Sequence, residues 1–322
     1  MSRGSRCDVA AFGDLLLDVV LRVEEEIELK DVSYVVKDGW ASPGGSAANF
    51  SVALSRLGLR TCLVSTVGND ILGYLLTSDL EKEGVDVGLV RVLDGESTGF
   101  TVSIVSPRGT RTLVTYRGAS RNNVIDPERV RRALEDAKLV FISGYAVRNT
   151  DGGESIVRLA KLGSELGVET AIDLGGFGRE HLPKLPDLRG IISYVFLNAE
   201  ELRILVDCEE LSGCVRTLYE NISPRAVFIK AGSEGSIVFD GSEVVRVEPY
   251  SVDVVDPTGC GDAYNAGVVL GILRGHSAVR AAELGNLLGA YKVQGRGSRY
   301  LPRSLRELEE FKKSYARKHL GS

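Results

Sequence analysis

The sequence predicts an α/β fold in which helices cover a mostly parallel sheet and a small β-sheet is attached. Short, continuous apolar runs alternate along the chain with stretches of helical periodicity. Such runs are typical of strands that are buried on both faces of a parallel sheet. Two further regions alternate apolar and polar residues, which is typical of strands with one solvated face. The 322 residues are 43% hydrophobic, and we interpret them as a single domain spanning 1–322.

Six apolar runs predict the strands of the main sheet, and several of them end in Gly, Asn or Asp. In chain order they are CDVAAFG, TCLVSTVG, KLVFISG, ETAIDLG, SYVFLN and RAVFIKAG. Helices are predicted between the strands at roughly 46–58, 70–83, 127–136, 152–166 and 198–206. From Gly259 onward the chain becomes helical. The alternation of strand and helix favours an α/β sandwich.

The two alternating regions predict the attached sheet. Residues 97–117 read as a hairpin around a turn at 106–109. Residues 19–38 are also strand-like, with charged interruptions. If the two regions pair, they form a small lid-like sheet outside the main core. The alternative is an extension of the main sheet at its edge.

Charge and hydropathy exclude some classes of protein. The formal net charge is −5, the pI is near 5.5, and no Lys/Arg block occurs, which argues against a nucleic-acid partner. Asp14 and Asp18 interrupt the amino-terminal apolar run, so it does not resemble a signal peptide. No other segment offers about 18 uncharged apolar residues. We therefore expect a cytoplasmic protein that does not enter a membrane.

The cysteines and the rare residues carry weaker information. Metal or disulfide frameworks are not expected, because the chain has an odd number of cysteines and no CxxC pair. These cysteines are Cys7, Cys62, Cys208, Cys214 and Cys260. One Met, one Gln and 28 Arg (39 basic residues less 11 Lys) make a composition typical of thermophiles. A GC-rich genome gives a similar bias.

The stretch DPTGCGDAYNAG, residues 256–267, carries the strongest functional signal. It follows VDVV, which reads as the end of a strand, and it opens an apolar helix. Gly259 and Gly261 at this junction leave backbone N–H groups free to converge on an anion at the positive end of the helix dipole. Asp262 beside those donors is suited to take a proton from an incoming hydroxyl. The alternative is that Asp262 is a helix cap or a first-turn acid.

A second glycine-rich stretch, SPGGSAANFSVALSRLG, spans residues 42–58. Gly44 and Gly45 precede a helix start and allow the backbone to approach a ligand closely. Asn49, one turn into that helix, offers a donor and an acceptor to hydroxyl groups. The alternative is a loop that has a Gly-Gly pair and a helix cap but no ligand, because its sequence would look the same.

Together the two stretches make the chain similar to the ribokinase-like, or PfkB, family of sugar and nucleoside kinases. DPTGCGDAYNAG fits the family's carboxyl signature D-[TP]-T-G-[AC]-G-D-x-[FY]-x-x-G along its whole length, and PGGSAANFSVALSRLG resembles the amino-terminal signature. The resemblance runs from about Val9 to about residue 302. It implies a three-layer α/β sandwich with a mostly parallel central sheet and a small β-sheet lid, at approximately 19–40 and 97–118. It also implies ATP and Mg²⁺ as cofactors, and leaves open whether a monovalent cation is needed.

The same resemblance assigns roles around the carboxyl signature. Asp262 would be the base that deprotonates the substrate hydroxyl. The N–H groups of Gly259, Cys260 and Gly261 would form the anion hole for the migrating phosphoryl group. Asp256 would lie near the nucleotide phosphates or help to position them.

The resemblance also assigns three further segments to the binding of the nucleotide and the metal ion. Asn198 and Glu201 match the family's Asn-x-x-Glu element, which organises the Mg²⁺ shell, whereas helix capping is the alternative for Asn198. Gly232 and Gly235 match the nucleotide loop, and Lys230 stands where other members often carry Thr or Lys. Asn286 falls on the adenine-side helix.

The acceptor side is assigned through the first strand and the lid. Asp18 would accept hydrogen bonds from two substrate hydroxyls. Leu16 stands where ribokinases proper have a polar Asn, which puts ribose itself in doubt. The hairpin at 97–117 and a strand at 31–38 resemble the lid, which often contributes to a dimer interface; Arg111 and Arg117 lie on it. TYRGAS resembles the lid strand of 2-keto-3-deoxygluconate kinases, so Arg117 would meet a substrate carboxylate, whereas an exposed strand arginine is usually only solvated.

We therefore interpret the chain as an ATP- and Mg²⁺-dependent kinase, a homodimer through its lid, that phosphorylates an alcohol of a small sugar or sugar acid. The acceptor classes considered are fructose, ketodeoxygluconate and sugar phosphates. The alternative is a nucleoside kinase of adenosine or cytidine type, with Tyr34, Trp40 or Phe100 as surface for the base. A catalytically dead binding protein is disfavoured, because the base and the glycines are all present.

Overall fold

The computed structural model describes residues 7–28, 30–36 and 38–319. Fourteen strands form two sheets within these residues. In chain order they are β1 Val9–Phe12, β2 Leu16–Arg22, β3 Asp38–Gly44, β4 Thr61–Gly68, β5 Val85–Asp86, β6 Val90–Leu93, β7 Thr98–Val105, β8 Arg111–Gly118, β9 Leu139–Ser143, β10 Glu169–Asp173, β11 Tyr194–Asn198, β12 Ala226–Lys230, β13 Ser236–Phe239 and β14 Val244–Val247. The six apolar runs predicted as strands all contain one.

The helices of the described residues lie between these strands and at the carboxyl end. They are α1 Ser46–Arg56, α2 Ile71–Lys82, α3 Pro127–Leu134, α4 Glu154–Glu165, α5 Ala199–Val206, α6 Leu211–Ile222, α7 Cys260–Leu273, α8 Ala278–Lys292 and α9 Leu305–His319. Short 3₁₀ segments occur at Ala119–Asn122, Gly144–Arg148, Arg179–Leu188 and Gly232–Glu234. The helix α6 has no counterpart among the predicted helices. Among these helices, none combines the length and the apolar character needed to cross a lipid bilayer.

The main sheet has ten strands and is mostly parallel. Its order is β14-β13-β12-β11-β10-β9-β1-β4-β5, and β6 also pairs with β4. All pairs from β12 to β5 are parallel, whereas β13 and β14 add an antiparallel edge. The segment with Gly232 and Gly235, matched to the nucleotide loop, connects the antiparallel strands β12 and β13. The predicted mostly parallel sheet is confirmed.

Two hydrophobic clusters, one on each face of this sheet, form the core. Alternate residues of β1 divide between them: Ala10 and Phe12 pack with one cluster, and Val9 and Ala11 with the other. The first cluster includes side chains from α3 to α6, and the second includes side chains from α1, α2 and α7 to α9. Burial on both faces explains why the strands read as continuous apolar runs. The three-layer sandwich is confirmed.

The second sheet is the lid. Its order is β3-β2-β7-β8, with β2 and β7 parallel and the other pairs antiparallel. The lid is separate from the main sheet, so the alternative of an edge extension is wrong. The predicted strand at 31–38 is also wrong, because the described residues 31–36 carry no strand and β3 begins at Asp38. Lys37 lies outside the described residues. The run of charged and apolar residues that suggested a strand is part of the connection between β2 and β3.

Two local expectations differ from the structure. The stretch VDVV, at 252–255, is not a strand but an irregular segment that leads to α7. Cys7 is paired with Cys62 and Cys208 with Cys214, with Cα atoms 5.8 and 5.6 Å apart, so the expectation of no disulfides is wrong. Cys260 is free. Pairing depends on contacts between distant segments, which the spacing of cysteines does not reveal.

The carboxyl ends of the parallel strands place polar side chains along one edge of the main sheet. Asp173 ends β10, Asn198 ends β11 and Lys230 ends β12. Ligands of open α/β sheets bind at this edge. The amino end of α7 and the inner face of the lid meet the same edge.

Candidate active site

The amino terminus of α7 is the centre of the candidate site. Gly259 caps this helix with a φ of 78°, and a Cβ there would lie 2.7 Å from Ser298 O, so the position requires glycine. The N–H of Cys260 donates to Pro257 O at 3.1 Å. Within the described residues, the N–H groups of Gly259 and Gly261 have no acceptor. Two of the three predicted anion-hole donors are therefore free to bind an anion.

Asp262, in the first turn of α7, is held by two residues of α1. Ser46 Oγ donates to Asp262 Oδ1 at 2.7 Å, and Asn49 Nδ2 donates to Oδ2 at 2.9 Å. Burial raises the pKa of Asp262 to about 6, although both hydrogen bonds oppose the rise. A carboxyl group with this pKa is largely ionised at neutral pH and can accept a proton, as a general base must.

Asn49 acts in this structure as a bridge. Its Nδ2 faces Asp262, while its Oδ1 accepts from Arg299 Nε at 3.1 Å and from Ser298 Oγ at 3.3 Å. The Arg299 side chain is 8% exposed and also forms an ion pair with Asp79. The amide of Asn49 is therefore oriented by the protein itself. The sequence pointed to Asn49 as a ligand of substrate hydroxyls, and that role stays a prediction.

Asp18, on β2, reaches the same place from the lid. A Cβ on Gly44 would lie 2.1 Å from Asp18 Oδ2, and a Cβ on Gly45, where φ is 97°, would lie 2.2 Å from Asp14 O. Gly45 is thus required by the backbone, and a side chain at position 44 would displace the Asp18 carboxylate. Burial, together with the negative charge of Asp262, raises the pKa of Asp18 to about 7. The predicted base and the predicted substrate-binding acid share one electrostatic environment.

Arg117, on β8, lies in an ion pair that the sequence did not reveal. Its Nη2 donates to Asp14 Oδ1 at 2.7 Å and to Asn149 Oδ1 at 2.8 Å. Its Nε and Nη1 are buried and have no hydrogen-bond partner within the described residues. Burial raises the pKa of Asp14, and Arg117 opposes that rise. Asp14 therefore neutralises the guanidinium on one side, while the other two guanidinium nitrogens are buried without a partner among the residues described.

Asn198 and Glu201 cap α5 reciprocally. Asn198 N donates to Glu201 Oε2 and Glu201 N donates to Asn198 Oδ1, both at 2.8 Å. Burial, and next the charge of Asp173, raises the pKa of Glu201. The capping alternative weighed for Asn198 is therefore present in the structure. One carboxylate oxygen of Glu201 is used by the cap.

Asp173 is a site residue that the sequence analysis missed. Lys230 Nζ donates to Asp173 Oδ2 at 2.5 Å, and Asn265 Nδ2 donates to the same oxygen at 2.6 Å. Burial acts to lower the pKa of Lys230, but the charges of Asp173 and Glu201 outweigh it and the pKa is raised. Lys230 Nζ also lies 3.6 Å from where a Cβ on Gly261 would be, beside the anion hole. The only sequence signal for Asp173 was its place at the end of a strand.

The residues at this edge fit a hydrated metal ion better than a closed metal cage. No group of three or more His, Cys, Asp or Glu side chains that could hold a metal occurs in the described part of the chain. Asp173 and Glu201 supply the carboxylate oxygens that Mg²⁺ prefers, but Lys230 and the α5 cap already use some of them. Mg²⁺ keeps several waters and commonly binds through one or two carboxylates together with phosphates. The donor set fits that mode.

A cavity of about 320 Å³ lies between the β12–β13 connection, α7 and α8. Four of the residues predicted for the nucleotide line it: Lys230, Gly232, Gly235 and Asn286. Asn286 Nδ2 donates to Val247 O at 3.1 Å and to Glu248 O at 2.9 Å, so its amide braces the cavity wall. Cys260 and Gly261 close the cavity at the start of α7.

Asp256 does not line this cavity. Its Oδ1 accepts from Thr258 N and its Oδ2 from Gly297 N, both at 2.9 Å. Burial acts to raise the pKa of Asp256, but these hydrogen bonds outweigh it and the pKa is lowered. Both roles predicted for Asp256 concern the nucleotide phosphates and stay predictions, whereas the contacts of its carboxylate position the loop before α7.

Arg111 connects the lid to the same loop. Its Nη1 donates to Thr258 Oγ1 at 3.1 Å, one residue before the glycine that caps α7. The sequence placed Arg111 on the lid but assigned it no role. A lid strand thus brings a positive charge to the rim of the anion hole.

The sequence profile of the pfkB family of carbohydrate kinases matches residues 7–304. The chain belongs to this family. The resemblance stated from the two signatures is confirmed, and the chain is accordingly an enzyme of the phosphotransferase class. The placement of its catalytic and binding residues stays a prediction.

Relatives within the family differ in their acceptors. A nucleoside kinase of Methanothermobacter thermautotrophicus is 29% identical over 292 residues, which cover 90% of this chain and 91% of the relative. An ATP-dependent ribose-1-phosphate kinase of Halopiger xanaduensis is 30% identical over 296 residues, 91% and 94% of the two chains. The solved structure of an adenosine kinase from Sinorhizobium meliloti has a TM-score of 0.81 and 26% identity, and the match covers 96% of this chain and 99% of that one. The ribokinase-like fold is confirmed.

Replacing Ser46 tests whether α1 tunes Asp262. Ser46→Ala removes a hydrogen bond that favours the ionised carboxylate, so the pKa of Asp262 should rise above about 6. A hydrogen bond to a charged group contributes about 1.5–3 kcal/mol, which corresponds to about one to two pH units. The measurement is a ¹³C-carboxyl NMR titration, with the Asp262 signal assigned from its loss in Asp262→Asn. Ser55→Ala on the same helix, whose hydroxyl donates to Glu83 O, is the control; an equal midpoint in Ser46→Ala and wild type would contradict the assignment.

Proposed function

We propose that the protein catalyses ATP- and Mg²⁺-dependent phosphorylation of an alcohol group on a small sugar. The observation that carries this proposal is the placement of Asp262, held by Ser46 and Asn49, beside the free N–H groups that begin α7. A base next to an anion hole is the arrangement that phosphoryl transfer to a hydroxyl requires. Asp18 on the lid lies close enough for the charge of Asp262 to raise its pKa.

In the proposed mechanism, the oxygen of the acceptor hydroxyl bonds to the γ-phosphorus of ATP, and Asp262 accepts the proton of that hydroxyl. The bond from that phosphorus to the β,γ-bridging oxygen breaks, and ADP leaves with the electron pair. The N–H groups of Gly259 and Gly261 donate to the phosphoryl oxygens on which charge is concentrated. Lys230 stands beside them with a fixed positive charge. Asp173 and Glu201 would hold Mg²⁺ through water, and the ion would neutralise charge on the phosphates.

The charges around Asp18 favour a neutral acceptor over a sugar acid or sugar phosphate. Arg117, expected to meet a substrate carboxylate, is paired with Asp14. Asp18 and Asp262 add two further carboxyl groups close by. An anionic acceptor would have to approach these carboxylates, whereas a polyol can donate hydrogen bonds to them.

A nucleoside acceptor is the second candidate, and the inner face of the lid favours it. Leu113 lies on β8 with the same parity as Arg111 and Arg117, so it shares the face of Asp18, and it is 60% exposed there. The base of a nucleoside could cover it. Two of the aromatic residues first considered are not available for this role. Phe100 points to the outer lid face, and Trp40 lies between the guanidinium groups of Arg22 and Arg296.

An acceptor panel separates these candidates. Ribose, fructose, ketodeoxygluconate, fructose 6-phosphate, adenosine and cytidine are each tested by thermal shift and by ADP release with ATP and Mg²⁺. A bound acceptor at a hundred times its Kd adds about 2.7 kcal/mol to the free energy of unfolding. We expect a neutral sugar or a nucleoside to raise the melting temperature and to be turned over. A preference for ketodeoxygluconate or fructose 6-phosphate would contradict the charge argument, and no turnover on any acceptor would contradict the proposed reaction.

Asp262→Asn tests the base. The amide keeps the size and can still hydrogen-bond, but it cannot take a proton, so turnover should fall by about two orders of magnitude or more while ATP affinity is retained. Turnover is measured as ADP release and ATP affinity by calorimetry. Asp187→Asn, at an exposed position, is the matched control. If Asp262→Asn keeps wild-type turnover, Asp262 is not the base.

We further propose that the outer face of the lid joins two copies of the chain. Phe100, Val114 and Tyr116 project from this face and are 38%, 58% and 48% exposed, an unusual apolar density for a solvated sheet. Sedimentation should give twice the chain mass of 34.7 kDa for the wild type and a monomer for Val114→Asp. Ile204→Asp, which changes an exposed apolar residue on α5, is the control and should stay dimeric. A monomeric wild type would exclude the lid dimer.

A further inference from the structure

Lys292, in the last turn of α8, is a charged residue that the proposed mechanism does not use. It is fully buried, with 0% of its surface exposed. Its Nζ donates to Asp256 O at 2.7 Å and more weakly to Gly295 O at 3.4 Å. A buried ammonium group is costly unless it is hydrogen-bonded and near negative charge. We therefore infer that this lysine fixes the conformation of the segment whose carbonyl oxygens it contacts.

That segment leads directly into the anion hole. Asp256 N donates to Val293 O at 3.2 Å, just beyond α8, and Lys292 holds the carbonyl of the same residue. The carboxylate of Asp256 fixes the N–H groups of Thr258 and Gly297. Every polar group of Asp256 is thus engaged. Lys292 holds the one oxygen of this residue that no backbone N–H in the described chain contacts.

The charge of Lys292 also reaches the hole. Burial raises the pKa of the Cys260 thiol, and the charge of Lys292 is the largest effect that opposes the rise, ahead of that of Lys230. Cys260 lies between the two glycines whose N–H groups are free. Positive charge therefore flanks the start of α7 on two sides, from Lys230 next to Gly261 and from Lys292 behind Asp256.

We propose that Lys292 is a positioning residue that serves as a built-in monovalent cation for the anion hole. It holds the segment from Asp256 to Gly261 in its anion-binding conformation and supplies positive charge behind it. Backbone carbonyl oxygens arranged around a buried cation are the ligands that also bind K⁺. Because the ammonium is covalently attached, the enzyme needs no dissolved monovalent cation. This inference rests on the proposed phosphoryl transfer.

The first test uses the unmodified protein. Turnover and ATP affinity are measured in choline buffers free of Na⁺, K⁺ and NH₄⁺, and again with each ion at 100 mM, a concentration chosen for the assay on the order of physiological ionic strength. We expect the values to agree within about twofold, since electrostatic screening at this ionic strength is the same for all three salts. A strong activation by K⁺ or NH₄⁺ would overturn the proposal. ATP affinity, measured by calorimetry, requires no turnover.

The second test compares two substitutions that remove the charge. Lys292→Ala leaves space for a small cation, whereas Lys292→Met fills most of that space with an apolar chain. Both should lower turnover by about a hundredfold, the effect of losing one element of an anion hole. NH₄⁺ or methylammonium should restore Lys292→Ala by about tenfold or more and should leave Lys292→Met unchanged. Lys313→Met, at an exposed position on α9, is the matched control and should equal wild type.

The outcomes separate a positioning role from a merely structural one. A structural role predicts lower melting temperatures with no cation-specific rescue, and that result would overturn the proposal. If Lys292→Ala does not fold, Lys292→Met and the buffers without monovalent ions still decide the question, because wild-type turnover that depends on K⁺ contradicts it. If the wild type transfers no phosphate, the proposed function fails. The cation inference is then judged by ATP affinity in the same buffers and by the melting temperature of Lys292→Ala with NH₄⁺ and with choline.

Discussion

The candidate site depends on one carboxylate, Asp262, which lies at the positive end of α7. It is largely removed from water and stands next to the N–H groups that would bind a second anion. Donors from α1 approach both oxygens of Asp262 and oppose the rise in its pKa that burial causes, so the carboxyl group stays largely ionised at neutral pH. Those donors come from the segment of the amino-terminal signature, and Asp262 from that of the carboxyl signature. The two stretches that identify the family are therefore two halves of one hydrogen-bonded contact, which α1 and α7 bring together across more than two hundred residues.

The other carboxylates of the site also need donors or positive charges that compensate their burial. Asp173 is balanced by Lys230 and Asn265, Asp256 by backbone N–H groups and Lys292, and Asp14 by Arg117. The carboxylate of Asp18 accepts no hydrogen bond within the described residues, and burial together with the charge of Asp262 raises its pKa to about 7. Asp18 is therefore the least compensated of these carboxyl groups. The hydroxyl groups of a bound acceptor can supply the donors that it lacks.

Much of the fold was predictable because each strand and helix carries a local pattern. The buried strands, the helices on both faces, the lid hairpin and the glycine-rich start of α7 all follow from periodicity or from backbone requirements. The contacts of the site were less predictable. Asp173 and Arg299 stand outside the two signatures, and the contacts of Ser46 and of the Asp14–Arg117 pair arise only when segments far apart in the chain meet. For the same reason the cysteine pairs and the absence of a strand at 31–36 could not be read from spacing.

The membership of Asp18 in the lid has a mechanical consequence. Asp18 belongs to β2, which is paired on both sides with lid strands, whereas Asp262 is fixed to the main sheet through α7 and α1. The distance between Asp18 and Asp262 consequently depends on the position of the lid sheet relative to the main sheet. Movement of the lid relative to the main sheet would change this distance, and the proposed proton transfer requires the acceptor hydroxyl to lie within reach of Asp262.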